Sequence, residues 1–484
     1  MLFDFDSLDA EEEHVKSSIP AWPARHTQNS SPPRPAYLHA AAAPEEGAAR
    51  VLVIGAGPTG CLAAAHLRRL ATAAGLQLHL SIFEQSRGPG GRMADFWPSD
   101  GPATYGQVVA DLGAQVVSFD PSDAAVKEEV SQLVNRGLLE LVPPGRLAST
   151  VERPNSHLSH YWALGGTSSL LMDYLKDSAP QDLRFNWEVK RLQSEQSAGG
   201  ASWHVAGRKY DNPWPRTAMG GGGWSYGVQM AQNAAINNAE ATTSFDAVIV
   251  AVNAREAASI GGMESILPSS MKKALVSGSF SYDARLVYCL YLDPQLRSRL
   301  TKCFGEASEL SFEEDAHSPR DAAESPPYLY TEHPAHLVAW QDIKRDPYPA
   351  NTHPTVITVH CKRSFSKALL LFTTKSGYVS RDPCPIGLGP VKVWLARWLG
   401  ISEATLEESV LDVKTLCWSE CQATPTKQNS TASHRDCMVI QSTPPLIFCG
   451  DYLVESTFAG CQRSARAGAS KLLELLPRTR LKVA

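Results

Sequence analysis

The residues with the clearest chemical potential are Gly55-Ala56-Gly57-Pro58-Thr59-Gly60 and, downstream, Glu84. In such a G-x-G-x-x-G turn the first glycine permits the tight bend. The second lets backbone approach a pyrophosphate, and the third lets the following helix pack closely on its strand. The helix N-terminus then offers free N–H groups and the positive end of its dipole to the phosphates. Thr59 lies in that first turn, and Glu84 stands where an acid accepts hydrogen bonds from ribose hydroxyls. Taken alone the motif is also a structural glycine turn; its context between two apolar strands favours a dinucleotide.

Two further groups extend this chemistry. Arg87-Gly88-Pro89-Gly90-Gly91-Arg92 follows Glu84 directly, so Gly91 lets backbone approach a ligand and Arg92 reaches a diphosphate or a flavin edge. Gly450-Asp451 lies almost the whole chain away and precedes a helical segment, where an aspartate can hold ribityl hydroxyls. That helix N-terminus would stabilise negative charge on a reduced flavin. A Gly-Asp pair by itself reads as a turn; it is the distance from the first motif that suits a long cofactor such as FAD.

These groups need elements to hold them. Val51–Ile54 is a continuous apolar run, as in a buried parallel strand. The pattern predicts a helix over Cys61–Ala74, with Leu62, Ala65, Leu67 and Leu70 facing the core, and a strand over Leu78–Phe83. Further strands are expected at Phe245–Val252, Tyr282–Leu292, Thr355–Val359 and Leu446–Cys449, and a helix at Ala459–Leu476. Polar segments at Ser194–Thr243 (with Gly220 to Gly223), Glu306–Ser325 and Thr424–Asp436 read as loops. Residues 1–49 mix an acidic start with a Ser/Pro/Ala-rich stretch and read as a disordered extension, with a cleaved targeting segment as the alternative.

Bulk properties narrow the class. The 484 residues are 43% hydrophobic and 20% charged, which fits a soluble, globular chain. The formal charge of -5, with no basic stripe, argues against a nucleic-acid partner. No run approaches the roughly 18 apolar residues of a membrane span, and no signal peptide is recognisable, so a cytoplasmic or organellar location is expected. Ten dispersed cysteines form no disulfide framework. Cys417, Cys421, His434 and Cys437 have irregular spacing for zinc, so no metal is expected.

The strings VLVIGAGPTG, FEQSRGPGGRM and ADLGAQ resemble the N-terminal signature of flavin amine oxidases, and the later segments are similar to the renalase-like members. Those segments are Trp162 to Leu171, Ser281 to Arg285, Val359-His360, Cys417 to Gln422 and Phe448 to Cys461. The resemblance covers Arg50 to about Leu476. It implies an α/β fold in which a Rossmann-like FAD-binding domain is interleaved with a substrate domain on a mixed β-sheet. By position the FAD domain takes 50–120, 244–256 and 444–478, and the substrate domain takes 121–243 and 257–443.

The resemblance further implies that Gly55, Gly57, Thr59, Gly60, Glu84, Gly91, Arg92, Ala114, Gln115, Val189, Gly450 and Asp451 serve the FAD, with His360 and Trp418 near its reacting face. From the residues alone, His360 reads as a core histidine and Trp418 as a core aromatic. Cys461 suggests covalent attachment, against which the renalase-like pattern argues. The implied activity is hydride transfer from NAD(P)H or its isomers to flavin, with O2 reduced to H2O2. Oxidation of primary amines or polyamines and a non-catalytic FAD-binding role are the alternatives. The oligomeric state is not readable.

Overall fold

The computed structural model describes residues 47–86, 88–96, 109–149, 157–197, 200–209, 224–225, 241–278, 280–313, 333–345, 353–375, 384–425 and 436–476. Expectations for residues 1–46, for Gly220 to Gly223 and for 426–435 fall outside these, as does His434 of the zinc grouping.

A six-stranded sheet carries the glycine turn. β1 (Ala49–Ile54) leads through α1 (Pro58–Ala73) to β2 (Leu78–Phe83). After α2 (Thr167–Ser178) comes β3 (Asp182–Arg184). β4 (Trp187–Ser197), β5 (Gly200–Lys209) and β6 (Ala241–Phe245) form a separate three-stranded antiparallel sheet. β7 (Ala247–Val250) then returns the chain to the first sheet beside β1 and runs into α3 (Ala254–Ser259).

The second large sheet has seven strands, of which β8 (Phe280–Leu292), β9 (Ala335–Trp340), β10 (Thr355–Cys361) and β11 (Val410–Pro425) form the body. β8 is central, antiparallel to β10 on one side and β11 on the other, with β9 beyond β10. Short parallel pairings at its margins make the sheet mixed. β12 (Met438–Ser442) and β13 (Pro445–Phe448) complete the first sheet in the order β12-β13-β7-β1-β2-β3, and α4 (Phe458–Leu475) packs on α1. β1, β2, β7 and β13 run parallel. Their side chains are buried almost without exception, as strands covered on both faces require.

The fold is therefore the expected α/β arrangement of a Rossmann-like unit and a mixed sheet. Several local expectations need correction. Ser194–Thr243 is not one loop: its first part continues β4 and forms β5. Trp203 and Val205 point inward there and alternate with half-buried His204 and Ala206, a period of two that marks a strand. Glu309–Ser311, placed in a loop by its polar surroundings, is a short strand in the mixed sheet. Thr424 and Pro425 belong to β11.

The run Phe245–Val252 breaks at Asp246. Its carboxylate accepts from the Arg50 N–H (2.8 Å) and its own N–H donates to the Arg50 carbonyl (2.8 Å), so the chain passes there from one sheet to the other. Leu70 is 36% exposed, so the inner face of α1 is carried instead by Cys61, Leu62, Ala65 and Leu67.

Candidate functional site

The turn between β1 and α1 behaves as its glycines require. Gly55 has φ +99°, and a Cβ there would lie 2.8 Å from the Ala251 carbonyl oxygen. A Cβ on Gly60 would come within 1.9 Å of the Gly55 oxygen, which is the close helix-on-strand contact its spacing predicts. Gly57 differs: nothing lies within 4 Å of the place a Cβ would take. That space belongs to a cleft rather than to the core. The first turn of α1 has no side-chain cap and no acidic residue, so its N–H groups remain available to an anion.

The cleft has a volume of about 460 Å³, within the range of small-molecule sites. It brings together Gly55, Gly57, Thr59, Glu84, Gly91, Arg92, Val189, Trp418, Gly450 and Asp451. Seven places in the fold contribute: the β1–α1 turn, the end of β2, the Gly91–Met93 turn, β4, the link from β7 into α3, β11, and the segment after β13. Gly60 supports the turn from beneath. Ala114, Gln115 and His360 are not part of the lining.

Glu84 is buried and well used. One carboxylate oxygen accepts from the Ala56 N–H (2.7 Å), and the other from the Ser86 N–H (2.8 Å) and hydroxyl (2.6 Å). A carboxylate has about four acceptor positions, so room remains for one further hydroxyl. Glu84 thus holds the glycine turn in shape as well as facing the cleft.

Arg92 and Asp451 engage each other. The guanidinium donates to both carboxylate oxygens, at 2.6 and 2.7 Å, and also to the Cys421 carbonyl (2.6 Å). Ser456 donates its hydroxyl to Asp451 as well (2.5 Å). Burial alone would raise the Asp451 carboxyl, but the Arg92 charge and hydrogen bonds outweigh it and hold the group below the usual carboxylate range. The two side chains read from sequence as separate ligand contacts are one bidentate unit.

Sequence reasoning missed Asn253 and Glu256, which also line the cleft. The Asn253 side chain caps α3 by accepting from the Glu256 N–H (2.9 Å). An Asn followed three residues later by Glu, just after an apolar strand, is a helix-start signal that could have flagged them. Burial, reinforced by Glu420 and Glu84, pushes the Glu256 carboxyl up to about 7. Trp187 and Glu420 are further lining residues.

Gln115 and His360 meet elsewhere, at 3.1 Å, in a polar cluster between the 109–115 segment and β10. His360 lies opposite Val287 on β8, which lies opposite Leu416 on β11. Trp418 is two residues further along β11, so it and His360 share one face of the mixed sheet. Cys461 is buried, and burial with the nearby Asp451 charge pushes its thiol up to about 12, which leaves little thiolate for covalent attachment.

Residues 53–135 match the family model described as an NAD(P)-binding Rossmann-like domain. One similar solved structure is described as a "Putative protoporphyrinogen oxidase from Exiguobacterium sp. 255-15". It superposes with a TM-score of 0.54 at 10% sequence identity, over 89% of this chain and 100% of that one. Together the two likenesses show a Rossmann-like domain within an α/β fold similar to that protein's. No helix among the described residues is long and apolar enough to cross a membrane.

Proposed function

We propose that the protein is an FAD-dependent oxidoreductase of the renalase-like kind, taking hydride from a dihydronicotinamide such as NAD(P)H or one of its isomers. The observation that carries the reading is the continuity of the cleft. It connects the ribose acid Glu84, the open space at Gly57 and the α1 N-terminus with Arg92, Asp451 and Trp418, on elements from both ends of the chain and from the mixed sheet. A mononucleotide would use only the first half of that lining.

The residues present fit FAD. Glu84 would hold an adenosine ribose hydroxyl, and Val189 on β4 would border the adenine. The N–H groups at Gly57 to Gly60 would hold the diphosphate, with the Arg92–Asp451 unit beyond it. Bound FAD would supply a two-electron acceptor for the donor's hydride; the two electrons would pass on to O2, and the hydride's proton with one from solvent would complete H2O2.

The chain's own contribution is positioning. The indole of Trp418 offers a flat wall for a nicotinamide ring, and the apolar side chains of Phe96, Leu112 and Leu416 packed around it keep water from that side. Hydride transfer from a dihydronicotinamide needs no proton abstraction, so the reading asks no base chemistry of the cleft carboxylates Glu84, Glu188, Glu256, Glu420 and Asp451.

Anaerobic mixing of the purified yellow protein with dihydronicotinamide isomers tests this. Rapid bleaching of the flavin band is expected; a colourless protein, or flavin untouched by every isomer, would sink the reading. Primary amines, polyamines and a protoporphyrinogen belong in the same screen, the last because of the similar structure's description.

A further inference from the structure

We infer that Cys437 and Cys449 form an oxidisable dithiol site, which a low-molecular-weight disulfide closes into a bond tying β12 to β13 one residue ahead of Gly450 and Asp451. Register brings the two thiols together. β12 and β13 run antiparallel with Met438 opposite Phe448 and Val439 opposite Ile447, so one step outward sets Cys437 opposite Cys449.

The type of pairing matters. The Cys449 N–H donates to the Val250 carbonyl on β7 (3.0 Å), so its backbone polar groups turn away from β12. Pairs alternate along an antiparallel ladder, and Cys437 and Cys449 therefore make a non-hydrogen-bonded pair. Such pairs hold their Cα atoms about 4.5 Å apart with the side chains on one face, inside the range a disulfide bridges.

A third element meets both side chains. A Cβ on Gly468 of α4 would lie 3.8 Å from the Cys437 Cβ and 3.8 Å from the Cys449 Cβ, so both residues leave the sheet toward the same helix position. That Cβ would also lie 2.1 Å from the Cys449 Sγ, so the sulfur fills the room the glycine leaves. Both thiols are free. No other two cysteines among the described residues stand opposite each other on paired strands.

The two sulfurs have different roles. Cys449 is fully buried, whereas Cys437 is half-buried beside the edge strand. The Cys437 thiolate attacks one sulfur of the small disulfide and expels one thiol. The Cys449 thiolate then attacks the Cys437 Sγ and expels the second. Two protein thiols lose two electrons, the reagent gains them, and the two protons go to the thiols released.

Burial pushes both thiols up. Asp436 and Glu474 add to it at Cys437 against Lys471, and Cys437 adds to it at Cys449 against a hydrogen bond with Ser464. Arg463 pairs with Asp436 (3.0 Å). Thiolate is therefore scarce at neutral pH, and closure follows the redox equilibrium slowly rather than acting as a fast sensor. Ser464 also accepts from the Gly450 N–H (2.8 Å), so the strand end that closure fixes is the one carrying Asp451 into the cleft.

The full-length protein, reduced and then equilibrated at pH 8 in glutathione buffers of rising oxidised fraction, tests the site. After acid quench, alkylation and digestion, a linked Cys437–Cys449 peptide is expected. Its yield should follow the ratio of squared reduced to oxidised glutathione. The link closes a loop of about a dozen residues, so Tm should rise by about 3 °C, reversed by dithiothreitol and absent in C437S.

The peptide map of the wild type requires no variant to fold. A mixed disulfide with glutathione at Cys437 and no linked peptide overturns the proposal, as does a bond joining either cysteine to a different one. An equal rise of Tm in C437S overturns it as well.

Discussion

Arg92 grips Asp451 through both carboxylate oxygens, at 2.6 and 2.7 Å, across 359 positions of chain. The pair ties the loop after β2 to the segment after β13, which is how the two ends of the sequence come to line one cleft. Removing Arg92 leaves the buried Asp451 charge unpaired, and removing Asp451 strands a partly exposed guanidinium, losses of up to about 3 kcal/mol. D451A and R92A should each lower the urea midpoint accordingly, whereas R92M/D451L should recover much of the stability and still lack flavin. A single variant as stable as the wild type would contradict this.

The same pair has a pH signature. The Asp451 carboxyl is held below its ordinary value in the folded protein, so its stabilisation is fully present above the unfolded pKa of about 3.9. It is lost as pH falls through the lower folded value. Thermal melts of the wild type should therefore converge on those of D451N as pH falls through that lowered folded value and separate from them above about pH 4.

Gly57 and Gly60 separate folding from binding. A Cβ at Gly60 collides with the Gly55 oxygen at 1.9 Å, and G60A should destabilise by about 3 kcal/mol. A Cβ at Gly57 meets nothing within 4 Å, so G57A should melt close to the wild type. It should nevertheless weaken FAD retention at least tenfold, about 1.4 kcal/mol, by filling the space the diphosphate needs. Retention is read from flavin absorbance after dialysis; undiminished retention in G57A would place the cofactor elsewhere.

How far this site was legible follows from where each residue finds its partners. Gly55, Gly60 and Glu84 satisfy demands set within a few tens of residues, since the turn needs its glycines and the Ala56 N–H needs an acceptor. Local pattern therefore found them. The strand runs of the parallel sheet were equally plain because both faces are buried. Gln115 is the opposite case. Its partners Gln341, Lys344 and His360 lie 226, 229 and 245 positions away, and no local period announces such a cluster. β5 was readable in the alternation of Trp203 and Val205, but its polar neighbours masked it. Asp451 was read from sequence as a ligand contact, whereas its place in the cleft and its bond to Arg92 required the fold.

Glu256 predicts a stability change of the opposite sign to Asp451. Its carboxyl is pushed up to about 7, by burial first and then by Glu420 and Glu84. An acid raised on folding favours the folded state when protonated, so its ionisation removes stability as pH climbs from about 4.5 toward 7. E256Q cannot ionise. Its Tm should equal that of the wild type near pH 4.5 and exceed it at pH 8. Removing a negative charge from the cleft should also tighten retention of a dianionic dinucleotide at pH 8 and leave it unchanged at pH 5.

Trp418 separates binding from chemistry. It is 6% exposed, stands on β11 opposite Arg285, and belongs to the apolar cluster with Phe96 and Leu416. The glycine turn and the Arg92–Asp451 unit lie on other elements, so W418F should retain flavin as the wild type does. The smaller ring leaves the donor less constrained, and misplacement on the scale of an ångström costs up to about a hundredfold in rate. The expected result is flavin reduction by a dihydronicotinamide slowed between about tenfold and a hundredfold, measured by anaerobic stopped flow, with reoxidation by O2 unchanged. A reduction rate equal to the wild type's would mean that the indole supports the sheet face without contacting the donor, and the reacting end of the cleft would then have to be sought away from β11.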